Sequence, residues 1–107
     1  MSEPKMLTFV HRFSRSVQCE MKVRDEPPGP RKTLSCERQW IGRPKRKHLP
    51  DYRRWCLHVT QLLADRWNQR VLYALSTIAN STEFWLFEPG AAPKLLKKLS
   101  SGIPFHG

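Results

Sequence analysis

The chain has 107 residues and a formal net charge of +10, with nineteen Lys and Arg against nine Asp and Glu. That length holds one domain with a single core, about 13 Å in radius of gyration, and is long enough to fold without metal or disulfide staples. Four Trp, five Phe and two Tyr supply the apolar area such a core needs. No apolar run approaches the roughly eighteen residues of a membrane span.

Residues 1–5 are expected to form a flexible N-terminus. Leu7, Phe9 and Phe13 then fall in period-two register, and Val17, Cys19, Met21 and Val23 alternate with Gln18, Glu20 and Lys22. Two strands joined across Ser14-Arg15-Ser16 follow, as a hairpin with one solvated face. Residues 24–33 form a Pro/Gly-rich linker. Residues 34–41 read as a third strand with Leu34, Cys36 and Trp40 on one side. Arg38 shares their parity, and Gly42 and Pro44 end the strand.

The spacing predicts a helix over 50–68. Pro50 fits its first position, where a missing N–H costs nothing. Asp51 sits near the positive end of the helix dipole, and Arg66 and Arg70 near the negative end. Tyr52, Trp55, Cys56, Val59, Leu62, Leu63 and Trp67 make one apolar face, with Asp51, Arg54, His58, Gln61 and Asp65 opposite. Strands over 71–77 and 82–88 come next, around a turn at Asn80, and both carry apolar residues on both parities. Residues 93–99 read as a short amphipathic helix stopping near Gly102. The expected fold is therefore α+β in one domain, 1–107. It has a small antiparallel sheet of four to five strands, one central helix (about 50–68) packed on one face, and a short C-terminal helix.

The charge is concentrated. Residues 31–54 hold nine of the nineteen Lys and Arg against two acids, Glu37 and Asp51, and so carry +7 of the +10. Within them, the basic segment 42–48 (Gly-Arg-Pro-Lys-Arg-Lys-His) is held extended by proline and can splay its side chains along a phosphate backbone. Each cation that meets a phosphate releases condensed counterion. Gly42-Arg43-Pro44 and the cations after it resemble the core of an AT-hook, whose extended Arg-Gly-Arg-Pro lies in a narrow A·T minor groove. Ile41 stands where the first arginine of that core would be. The segment also matches a nuclear import pattern, and its blandest reading is a solvated loop that keeps the protein soluble.

The candidate nucleic-acid-binding residues are Arg31, Lys32, Arg38, Trp40, Arg43, Lys45, Arg46, Lys47, Arg53 and Arg54. Trp40 could stack on a base or belong to the core. Arg54 could join the basic patch or pair with Asp51 one turn away. Trp85 and Phe87 are candidates for a protein interface or a homodimer contact, should their sheet have an open face.

Cys19, Cys36 and Cys56 form no C-x-x-C pair, and Cys56 and His58 diverge on the helix, so no metal and no cofactor is expected. Free, mostly buried thiols and the absence of a signal-peptide pattern suggest a cytoplasmic protein, nuclear in a eukaryotic host. No local motif ties a catalytic set together. One enzymatic alternative is a toxin-like, metal-independent ribonuclease, for which His48, Tyr52, Arg53 and Arg54 would have to converge at the helix start. The main expectation is a small, basic, non-enzymatic nucleic-acid-binding protein (DNA or RNA) that grips phosphates. Its rival is a protein-interaction module or phage/plasmid-type inhibitor that binds an acidic or nucleic-acid-binding surface of a partner.

Overall fold

In the computed structural model, residues 4–76 and 81–100 are described. The chain order is β1 (Met6–Arg12), β2 (Gln18–Arg24), β3 (Cys36–Ile41), a single 3-10 turn (Arg46–His48), α1 (Leu49–Trp67), β4 (Val71–Ser76), β5 (Ser81–Phe87) and β6 (Lys94–Ser100). The class is α+β with antiparallel pairing, as expected. The strands form two sheets of three, ordered β1-β2-β3 and β4-β5-β6, rather than one sheet of four or five. A single parallel bridge between Thr33 and Leu72 joins them, with the Leu34 N–H donating to the Leu72 carbonyl (2.9 Å). The turn expected around Asn80 lies outside the described residues, as do residues 1–3 and Gly102.

Alternation explains the first sheet. Leu7 lies opposite Val23, Phe9 opposite Met21 and His11 opposite Cys19, and β2 in turn sets Val23, Met21 and Cys19 against Cys36, Arg38 and Trp40. All nine residues share one face. On the central strand, Cys19, Met21 and Val23 are fully buried there. In the second sheet, Val71, Tyr73 and Leu75 are buried in the same way. On the other side of β4 and β5, Leu72 and Leu86 share a cleft with Pro27, Pro28 and Pro30 of the Pro-rich linker.

The helix begins and ends where the sequence indicates. Pro50 occupies its first turn, and Asn68 takes up the left-handed conformation (φ 51°, ψ 44°) at its end. The Asn68 and Gln69 N–H groups cap the carbonyls of Asp65 (3.2 Å) and Ala64 (3.1 Å). The buried pairs are Trp55/Cys56, Val59/Thr60 and Leu63/Ala64. These follow the i+4 ridge, which turns about 40° around the axis at each step. Leu62, expected on the apolar face, falls off this ridge and is exposed. Thr60 replaces it and satisfies its hydroxyl by donating to the Cys56 carbonyl (2.8 Å).

The C-terminal segment differs from expectation in kind. Residues 94–100 are strand β6, paired antiparallel with β5 in place of a short helix. Seven residues are too few for a stable isolated helix, whereas the edge of β5 offers a ladder of unpaired backbone groups. The helix-like spacing of Leu95, Leu96 and Leu99 is accommodated by a bulge: Trp85 pairs with Leu95 and Phe84 with Lys97, leaving Leu96 as the extra residue.

Candidate nucleic-acid interface

Gly42 determines how the basic segment leaves the sheet. Its φ is +81°, and a Cβ there would stand 2.0 Å from the Ser16 carbonyl oxygen in the β1–β2 turn. Only glycine permits that approach. Lys45 is extended (φ −113°, ψ 165°), and Arg46–His48 close one 3-10 turn against the start of α1. The turn is held from both sides: the His48 N–H donates to the Lys45 carbonyl (2.9 Å), and His48 Nδ1 accepts from the Lys45 N–H (3.0 Å). Arg43, Lys45, Arg46 and Lys47 are all exposed, as is Arg54 on the second turn of α1. None of these five pairs with a carboxylate among the described residues. Asp51, one of the two alternatives considered for Arg54, instead accepts from His11 Nε2–H (3.0 Å).

The remaining arginines and lysines of residues 31–54 are placed elsewhere. Arg38 points inward from β3, lies 5.8 Å from the Tyr73 ring centroid and donates to the Tyr73 hydroxyl. Arg53 donates to both carboxylate oxygens of the buried Glu83 (2.5 and 2.7 Å) and lies over the Trp85 ring (5.7 Å). Arg31 and Lys32 sit beside Gln69 and Arg70, at the opposite end of the strands. Strand β3, Cys36–Ile41, runs between the two groups and alone spans about 17 Å. The mid-chain cations therefore divide into an exposed group at the helix start, two side chains absorbed into the fold, and a distant pair.

Trp40 is half-buried next to the exposed group. Its ring centroid is 5.3 Å from Tyr52 and 5.4 Å from Phe13, within an aromatic cluster that continues through Trp55 to His11. Between the basic segment and this cluster lies a pocket of about 150 Å³, lined by Trp40, Pro44, Lys45, His48, Leu49, Tyr52 and Ser76. The ends of β3 and β4 and the first turn of α1 meet there. His11 in β1 and Phe13 just after it were legible as inward-facing, since they share parity with Leu7 and Phe9. Glu83 had no comparable signal, because a carboxylate in an apolar strand shows nothing of its partner 30 residues away.

Of the interface candidates, Trp85 is half-buried beneath Arg53, and Phe87 is fully buried with its ring centroid 6.5 Å from that of Tyr73. Phe87 is thus a core residue with no surface for a partner.

Cys19, Cys56, Tyr52 and Tyr73, around Arg38, hold their protons. Burial, reinforced by the neighbouring Cys56, pushes Cys19 up to about 11. Burial also raises Cys56, Tyr52 and Tyr73, against an opposing effect from Arg38. Of the four residues required for the ribonuclease alternative, Arg53 is tied to Glu83 and His48 Nδ1 to Lys45. No helix among the described residues is long and apolar enough to cross a membrane.

Comparison with known proteins gives no match, whether to a family model, to a curated protein or to a solved structure.

Proposed function

We propose that this chain is a nucleic-acid-binding protein that grips the phosphate backbone with Arg43, Lys45, Arg46, Lys47 and Arg54. The observation that carries this reading is the set of five exposed cations beside α1, none paired with a carboxylate among the described residues. The acids near the start of α1 are engaged, Asp51 with His11 and Glu83 with Arg53. The positive end of the helix dipole adds to the attraction for anions. Arg31 and Lys32 form a separate site, so a long polyanion could touch both ends while a short one reaches only the helix start.

The test is titration with DNA and with RNA at several salt concentrations. Replacing Lys45, Arg46 and Lys47 together by Ala should flatten the salt dependence of log K by about 2–3 units, at roughly 0.7–0.9 per phosphate contact. An unchanged slope would eliminate this site.

A protein partner is the second reading, favoured by strand β6. It forms a sheet edge that exposes Leu95, Leu96 and Leu99 among Lys94, Lys97 and Lys98. Such an edge pairs readily with another chain. A partner retained after nuclease treatment and lost on Leu96→Lys would support it.

A further inference from the structure

We infer that the pocket lined by Trp40 and Tyr52 takes one unstacked base of a single-stranded nucleic acid, so that the protein prefers single strands to duplex. The inference rests on the nucleic-acid reading above and assigns part of the ligand to a particular cavity. Two observations carry it. The first is shape: a pocket of about 150 Å³ lined by Trp40, Tyr52 and the ring of Pro44 suits one flat heterocycle. An amphipathic helix or a lipid chain needs a long groove instead. The second is charge: Lys45 is part of the wall, and Arg43, Arg46 and Lys47 flank it in sequence. A ligand apolar on its faces and anionic beside them is a nucleotide. Four cations over five residues exceed what one phosphate uses, which points to a strand.

The pocket wall is almost wholly apolar, so the base is held through its faces rather than read at its edge. Paired bases in a duplex keep their faces stacked, whereas a single strand can offer one to an aromatic pocket.

The experiment compares a labelled oligothymidylate of about 12 nucleotides with the same backbone carrying abasic sites throughout, and with a duplex of equal length, at one salt concentration. Phosphate number is the same in the two single strands, so only the bases differ between them, while the duplex offers two backbones. The base-bearing single strand should bind about tenfold tighter than the abasic one, and tighter than the duplex. In Trp40→Leu that difference should vanish while affinity for the abasic strand is retained, which also shows that the variant is folded. Equal binding of base-bearing and abasic strands would overturn the inference and leave phosphate gripping intact. Absence of binding to any of the three would overturn both readings. Thymidine monophosphate binding as tightly as the strand would reassign the pocket to a free nucleotide and overturn the proposal.

Discussion

Arg53 and Glu83 form a two-oxygen ion pair between α1 and the middle strand of the second sheet, with the carboxylate side chain 3% exposed and the guanidinium side chain 42% exposed. Glu83 has no other described partner for its charge. The pair fastens the helix to a sheet with which it otherwise shares mainly apolar contacts, and it removes Arg53 from the basic surface. Its neighbour Arg54, about 100° further round the helix, is exposed and has no carboxylate partner among the described residues.

These adjacent arginines should therefore respond in opposite ways. Arg53→Ala leaves a buried carboxylate without its cation and should cost about 2–3 kcal/mol of stability, with little change in the salt slope of nucleic-acid binding. Arg54→Ala should leave stability within about 0.5 kcal/mol and reduce the slope by roughly 0.7–0.9. Replacing both partners, as Arg53→Met with Glu83→Leu, should recover much of the lost stability. Denaturant melts and salt titrations on the same preparations check all three. Equal slopes for the two single variants would contradict this division of roles.

Why the sequence separates these residues poorly is physical. Local periodicity reports which side of a helix or strand a residue occupies, and it placed β1, β2, α1, β4 and β5 correctly. It does not report which distant group meets a polar side chain on the inner side. Arg38 shows this: its parity put it among apolar residues, but the phenol it meets, Tyr73, lies 35 positions away. The β6 segment failed for a different reason. Its Leu and Lys spacing satisfies a helix, and only the open edge of β5 selects the strand. The concentration of cations in residues 31–54 was plain from composition, whereas its division between two ends of the fold depends on how the linker and β3 run.

The buried thiols and phenols make a prediction about alkaline pH. Cys19 titrates near 11 in the folded chain against about 9 when unfolded, and Cys56, Tyr52 and Tyr73 are also raised, with burial the largest cause in each. Below pH 9 both states keep these protons, and the contribution to stability is fully present. As pH rises from 9 towards 11 the unfolded chain releases protons that the folded chain holds, so stability must fall. Tm should be level up to about pH 9 and decline steeply beyond it. A Tm that stays level to pH 11 would contradict the burial of this cluster.

At acid pH the residue to watch is Asp25. Its carboxylate accepts from Arg66 Nε (2.9 Å) and Nη2 (2.6 Å) and from Trp67 Nε1–H (2.9 Å), clamping the segment after β2 to the end of α1. The hydrogen bonds from Arg66 and then Trp67 hold its pKa down at about 2, against an ordinary 3.8. The stabilisation is present above pH 3.8 and lost as pH falls through 2. Asp25→Asn should lower Tm at neutral pH and leave the two proteins nearly alike at pH 2. A constant difference between them across that range would show that the clamp does not depend on the charge.

Gly42→Ala tests the route by which the basic segment reaches its place. The substitution puts a Cβ into a backbone conformation at φ +81°, 2.0 Å from the Ser16 carbonyl oxygen and 3.3 Å from the Val17 Cα. Both neighbours are backbone atoms and cannot swing aside, so either the β1–β2 turn or the end of β3 must move. A cost of about 2 kcal/mol or more is expected from the conformational strain alone. Because Trp40 lies two residues before Gly42 and Pro44 two after, the same movement should loosen the pocket that both residues line. Trp fluorescence should report the loss of packing around Trp40, and affinity for the base-bearing strand should fall more than affinity for the abasic one. A variant that keeps both wild-type stability and wild-type discrimination between the two strands would show that Gly42 does not position the site.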